Sequence, residues 1–204
     1  MIIGITGSFG SGKTTAREMF RGLGAYVIDA DKVCHGLMAP SKKVFGKIVR
    51  HFGKGILKGN KTIDRKKLAQ IVFKEKTKLE LLNKLVHPEA IREIERIVRT
   101  KKDKKLIVID AALMVESGFY RKMDRLVLVR TNLDKAIKRL IRAKGSTQSE
   151  ILQRIRMQAP LKKKRTFADF IIDNNGSRKQ TKIQIEKIWK QLGVGYACKS
   201  KTGY

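Results

Sequence analysis

The sequence predicts an α/β fold: a five-stranded parallel sheet flanked by helices. Three observations predict it. Five short apolar runs, each ending near a polar residue, are spread along the 204 residues and read as strands buried on both faces. Helical patterns separate them, as the crossovers of a parallel sheet require. The stretch Gly7-Ser8-Phe9-Gly10-Ser11-Gly12-Lys13-Thr14 lies between the first run and the first helical pattern, where a glycine-rich turn meets a helix N-terminus.

The first strand is Met1–Thr6 and the first helix Thr15–Leu23. The loop between them fits G-x-x-x-x-G-K-[ST] in its required strand–loop–helix setting. Its glycines let the backbone curl so that N–H groups point inward, and the helix N-terminus adds partial positive charge, a combination suited to phosphate oxygens. Gly10, Ser11, Gly12, Lys13, Thr14 and Thr15 are therefore candidate triphosphate contacts. Lys13 is expected to reach the β- and γ-phosphates and the Thr14 hydroxyl to ligate Mg²⁺.

The second strand is Ala25–Asp29, and about 75 residues separate it from the third, far more than the ~10–12 a crossover needs. They read as helices Ser41–Phe52, Asp64–Phe73 and Thr77–Thr100, with a turn at 58–61 and with Pro88 marking a helix start or kink in the last. Residues 32–100 are thus expected to form a helical lobe inserted into a core of residues 1–31 and 101–192, a place to hold a phosphoryl acceptor.

Leu106–Asp110 and Leu126–Arg130 are the third and fourth strands. Helices Leu133–Ala143 and Gln148–Gln158 follow, split by Lys144-Gly145-Ser146-Thr147; Ser146 or Thr147 can cap the second, and Glu150 completes a capping-box spacing from Thr147. Pro160 and the Lys162–Arg165 run are expected to break the pattern before the fifth strand, Phe170–Asp173. Two short basic helices around a Gly-Ser hinge make residues 133–166 look like a lid. Residues 193–204, with three glycines and no periodicity, read as a surface or disordered tail.

The formal charge is +29, from 47 Lys and Arg against 18 Asp and Glu. Such a balance permits a polyanionic partner, although solvated lysine faces produce it equally well. Part of the excess is local, since residues 133–166 hold eleven basic and two acidic side chains. The two cysteines, Cys34 and Cys198, are far apart and outside any metal-ligand spacing, so Mg²⁺ is the one metal expected. No run approaches the ~18 apolar residues of a membrane span, and the start lacks a signal-peptide n-region. The expectation is a cytoplasmic protein without a membrane segment.

Carboxylates at the C-terminal ends of parallel strands face the crevice where ligands bind. Asp29, Asp31 and Asp110 are placed in this way. Asp31, beside the helical insert, is the candidate to accept or orient the proton of an acceptor hydroxyl; it is also suited to cap a helix beginning at Lys32, and both can hold. Asp110 ends an Ile-Val-Ile run and is the candidate second Mg²⁺ ligand, directly or through water. Glu116 lies six residues further on. Arg139, Arg142, Arg154, Arg156 and Lys164 are candidates to close over a transferring phosphoryl group.

The chain resembles the dephospho-coenzyme A kinase family in the stretch from Ile5 to Thr15, in Val27-Ile28-Asp29-Ala30-Asp31 with His35, and in Ile63-Asp64-Arg65-Lys66-Lys67-Leu68. The resemblance continues through Leu85-Val86-His87-Pro88, Glu116-Ser117-Gly118, Gln158 to Lys164, and Ala168 to Gly176. It implies a P-loop kinase fold with a CoA-binding helical insert and a lid, and ATP-dependent phosphorylation of the ribose 3′-hydroxyl of dephospho-CoA to give CoA and ADP. It makes Asp31 the proposed general base and Lys13, Arg139 and Arg142 its catalytic companions. The Asn174-Asn175-Gly176 turn is placed near the adenine, and His35, Arg65, His87, Glu116 and Lys164 on the acceptor's side. Ala112-Leu113-Met114 departs from the family's Pro-Leu-Leu. Ala143 stands where an arginine is common, with Arg142 about 100° away around the helix.

Two other readings stay open on the residues alone. The same scaffold serves nucleoside and nucleoside-monophosphate kinases, and the charge permits a nucleic-acid-binding ATPase. No recognised nucleic-acid module or aromatic-studded basic strand supports the latter, so no specific nucleic acid is expected.

Overall fold

A computed structural model describes residues 1–195. Of the expected tail, residues 196–204 lie outside the described residues. Five parallel strands, β1 (Ile2–Thr6), β2 (Tyr26–Asp29), β3 (Ile107–Asp110), β4 (Arg125–Arg130) and β5 (Phe170–Asp173), form one sheet in the order β2-β3-β1-β4-β5. The α/β expectation is met, and the strand ends shift by no more than one residue.

Side-chain alternation along β1 divides the core. Ile3 and Ile5 join Ala16 and Phe20 of α1 (Lys13–Gly22) and Ile185, Ile188 and Trp189 of α9 (Arg178–Gln191) on one face. On the other, Ile107 and Ile109 meet Met114, Phe119 and Ile94. Gly4 points to this second face, where an added Cβ would lie 2.3 Å from Met114 Sδ; a side chain there would drive Met114 out of the core.

Between β2 and β3 the chain forms α2 (Ala30–Leu37), α3 (Lys43–Phe52), α4 (Arg65–Val72) and α5 (Lys76–Thr100). Val44, Ile48, Leu68, Val72, Leu82 and Val86 bury a separate core among them. Pro88 does not start a new helix: α5 runs through it. Its amino-terminal half carries Leu82 and Val86 into the insert, and its carboxy-terminal half carries Ile94 onto the sheet. One helix therefore joins both cores.

After β4 come α6 (Leu133–Lys144), α7 (Gln148–Arg156) and α8 (Leu161–Arg165). Thr147 caps α7 in a full capping box with Glu150. The Lys162–Arg165 run, expected to break the pattern, is instead a short helix following Pro160, whose fixed φ suits a helix start. Ile137, Leu140 and Ile151 form a small core with Phe9, Leu152 and Ile155 packed against it, so this segment rests on the glycine-rich loop. No helix among the described residues is long and apolar enough to cross a membrane.

Candidate active site

The loop after β1 is shaped by two left-handed glycines. Gly10 has φ 79° and Gly12 φ 90°, values that a side chain disfavours. At Gly12 an added Cβ would also lie 2.0 Å from Asn174 Nδ2. Gly12 is the N-cap of α1, and no side chain caps that helix. The amides of its first turn have no intrahelical acceptor, so Lys13, Thr14 and Thr15 present donors and a positive helix end to one point. Ser11 is buried beneath the loop and does not line the cleft; its Oγ has no hydrogen-bond partner among the described residues. The uncapped amides fit a triphosphate.

Lys13 folds its amine onto the loop, donating to Gly7 O at 3.0 Å and Ser8 O at 3.1 Å. Burial pushes its pKa down to about 8, against the pull of Asp110. Opposite, burial pushes Asp110 up while Lys13 and Arg17 pull it back.

A cleft of about 670 Å³ opens over this loop. Gly10, Gly12, Lys13, Thr14 and Thr15 form one side, Asp29, Asp31, His35 and Asp110 another, and Arg139, Ala143, Asn174 and Gly176 a third. Sequence distance is thus closed by topology: β2, β3 and β1 are neighbours and end together, with Asp29 directly opposite Asp110 in register.

Asp31 does not cap α2. That role belongs to Asp29, whose Oδ1 accepts from Lys32 N at 3.0 Å, because the helix starts at Ala30 with no intervening loop. Asp31 is exposed in the first turn and makes no hydrogen bond or ion pair among the described residues. One turn on, His35 Nδ1 lies 2.8 Å from Arg65 Nη1. Arginine only donates, so Nδ1 accepts and the ring proton of neutral His35 sits on Nε2. Burial and then Arg65 lower the pKa of His35, favouring that neutral form.

The remaining expected residues divide by what they touch. Arg139 lines the cleft and donates to Asn174 O at 3.2 Å, whereas Arg142 is exposed outside the lining residues. Asn174 is buried, bonded through Nδ2 to Ser11 O at 2.9 Å and through Oδ1 to Thr181 at 2.9 Å; its side chain ties the loop to α9. Asn175 accepts from Asn132 N at 2.7 Å. Lys164 is fully buried, donating to Ala112 O at 2.7 Å and paired with Glu116 at 3.0 Å. Glu116 also accepts from Ala159 N at 2.8 Å. His87 on α5 is half-buried, and burial lowers its pKa more than Glu116 raises it. Arg154, a candidate for the phosphoryl group, stacks instead between Phe9 and Phe73, at 5.2 Å and 5.1 Å from the ring centres.

Sequence reasoning passed over Arg17, which lines the cleft and bridges Asp29 and Asp110. The available signal was its position four residues after Lys13, on the same helix face. For a metal, Thr14 and Asp110 both line the cleft, and no group of three or more His, Cys, Asp or Glu side chains among the described residues could hold one. Two oxygen ligands suit an ion such as Mg²⁺ that takes the rest of its shell from water and phosphate.

The family model for dephospho-CoA kinase matches residues 1–180. A dephospho-CoA kinase of Aquifex aeolicus is 40% identical over 190 residues, 93% of this chain and 96% of the relative. A Thermus thermophilus crystal structure superposes with a TM-score of 0.83 at 28% identity, covering 96% of this chain and 98% of that one. The dephospho-CoA kinase from Campylobacter jejuni does so with a TM-score of 0.60 at 26% identity, covering 94% and 96%. With the phosphate loop, the strand-end carboxylates and a relative matched nearly end to end, the chain belongs to the dephospho-CoA kinase family.

Proposed function

We propose that this chain transfers the γ-phosphoryl group of ATP to the ribose 3′-hydroxyl of dephospho-CoA, giving CoA and ADP, in the cytoplasm. The observation that carries the reading is Asp31. It is the carboxylate left unpaired in a cleft whose other wall is the uncapped start of α1. Asp31 orients the acceptor hydroxyl and takes its proton as the new P–O bond forms. Lys13 leaves the Gly7 and Ser8 carbonyls for the phosphates, and the amides of Lys13, Thr14 and Thr15 hold them. Thr14 and Asp110 hold Mg²⁺, which supplies charge neutralisation on the phosphates when bound. His35, fixed by Arg65, and the insert around His87 border the acceptor. The α6–α8 segment acts as the lid, Arg139 being its cleft-facing guanidinium. Glu116 and Lys164 contribute by anchoring the loop after β3 rather than through free charge.

Purified protein with ATP and Mg²⁺ is offered dephospho-CoA, a nucleoside and nucleoside-monophosphate panel, and RNA. The expected result is one CoA per ADP with dephospho-CoA alone. Preferential turnover of AMP or uridine, or ADP release stimulated by RNA, contradicts the reading. Asp31→Asn is expected to lower kcat by about 10²–10⁴ while ATP affinity stays within about threefold; wild-type kcat in that variant removes Asp31 from the role.

A further inference from the structure

Asp29 and Asp110 are registered opposite each other on adjacent parallel strands, about 4.8 Å apart across the sheet. Two anions so close in a partly buried cleft repel, and like charges directly opposite are destabilising. One guanidinium lies between them. Arg17 Nη1 donates to Asp29 Oδ2 at 2.5 Å and to Asp110 Oδ2 at 2.9 Å, while Nε reaches Glu18 Oε1 at 3.2 Å. The three side chains of the bridge are 12%, 16% and 8% exposed, so the contact is sheltered from screening.

The bridge decides which carboxylate oxygens are engaged. Both oxygens of Asp29 already accept a hydrogen bond, one from Arg17 and one from the first turn of α2. Asp110 is engaged through Oδ2 by Arg17, while the side chain of Asp31 accepts none among the described residues. Without Arg17 the pair would be a bare dicarboxylate in the cleft that Thr14 also lines, and paired carboxylate oxygens are a hard-oxygen seat for a divalent cation. With Arg17 in place, Asp110 Oδ1 and Thr14 offer two ligands, too few to hold such an ion without phosphate oxygens.

We propose that Arg17 is a positioning residue, a built-in cation occupying the seat between Asp29 and Asp110 so that a divalent metal enters the cleft only together with the triphosphate. The inference rests on the reading that the cleft takes a metal–triphosphate complex. Its test measures no turnover, so failure of the phosphoryl-transfer reading leaves the test intact.

The experiment follows Mn²⁺ binding to the full-length protein by the EPR signal of the free ion, with and without a non-hydrolysable ATP analogue. Nucleotide-free wild type is expected to bind no tighter than about millimolar. Arg17→Gln, which removes the charge and keeps donors, is expected to bind on the order of tenfold tighter or more. Arg17→Lys should behave as wild type, and Arg17→Gln with Asp110→Asn should lose the gain. With the analogue present, wild type and Arg17→Gln should agree within about threefold. Two results overturn the proposal: a folded Arg17→Gln protein with wild-type nucleotide-free affinity, or wild type itself capturing Mn²⁺ at micromolar concentration without nucleotide. The second is decisive even if the Gln variant fails to fold. A merely structural role for Arg17 would lower stability without creating a metal site.

Discussion

Lys13 shows how a single enclosed amine couples ligand binding to pH. Enclosure pushes its pKa down to about 8, so below that value it is a cation and above it a neutral donor. A triphosphate favours the cation, which raises the pKa in the complex. Affinity for ATP is therefore expected to fall as pH rises through 8, by about tenfold between pH 7 and pH 9, with proton uptake on binding. Calorimetry in two buffers of different ionisation enthalpy measures both. Lys13→Met should bind weakly with little pH dependence; unchanged wild-type affinity at pH 9 would show that the amine stays charged. Lys13 and Thr14 were legible from spacing because the loop is local in sequence. Arg17 shares a helix face with Lys13, but nothing within α1 announces that it meets the ends of two other strands.

At the scale of elements, α7 connects three parts of the molecule. Arg154 lies between Phe9 of the glycine-rich loop and Phe73 at the end of α4, Gln153 Nε2 donates to Phe73 O at 2.5 Å, and Gln158 accepts from Phe9 N at 2.9 Å. The other end of α4 carries Arg65 and so His35. Two cation–π contacts are worth about 1–2 kcal/mol together. Arg154→Ala should therefore raise KM for the acceptor roughly five- to tenfold with KM for ATP nearly constant, as steady-state kinetics will show. A rise in KM for ATP with KM for the acceptor constant would mean that α7 serves the donor side alone. The capping box that starts α7 was readable at Thr147 and Glu150, because caps depend on residues three apart. The stacking partners were not, because Phe9, Phe73 and Arg154 are brought together only by folding.

Across the whole molecule, +29 charges repel one another in the compact state. Among the described residues the carboxylates are largely used up in short-range pairs, several of them exposed helix pairs such as Arg96–Glu93 and Lys78–Glu75, so the excess lysines face solvent. Screening tightens from about 10 Å at 0.1 M to about 3 Å at 1 M salt. The melting temperature is expected to rise with sodium chloride over that range by about 2–4 °C, the equivalent of roughly 1 kcal/mol for a protein of this size. Scanning calorimetry checks it, and a flat or falling curve would mean that the ion pairs contribute more than the repulsion removes.

The sequence by itself determined the five strands, the phosphate loop and the inserted helices, since each depends on periodicity or spacing within a few residues, and its motifs taken together carried the resemblance to the family. It also brought Asp31 to notice, through its place just past β2. Tertiary structure alone decided what each carboxylate does. Asp29 became the cap and Asp31 the free group because α2 begins at Ala30, and Asp29 faces Asp110 because β2 pairs with β3. It likewise decided that Lys164 is a buried clamp on the loop after β3 and Arg154 a stacked strut. The physical reason is common to Asp29, Lys164 and Arg154: a buried or stacked charged side chain takes its role from the partner that removes it from water, and those partners are distant in the chain, Arg17 for Asp29, Glu116 for Lys164, Phe9 and Phe73 for Arg154.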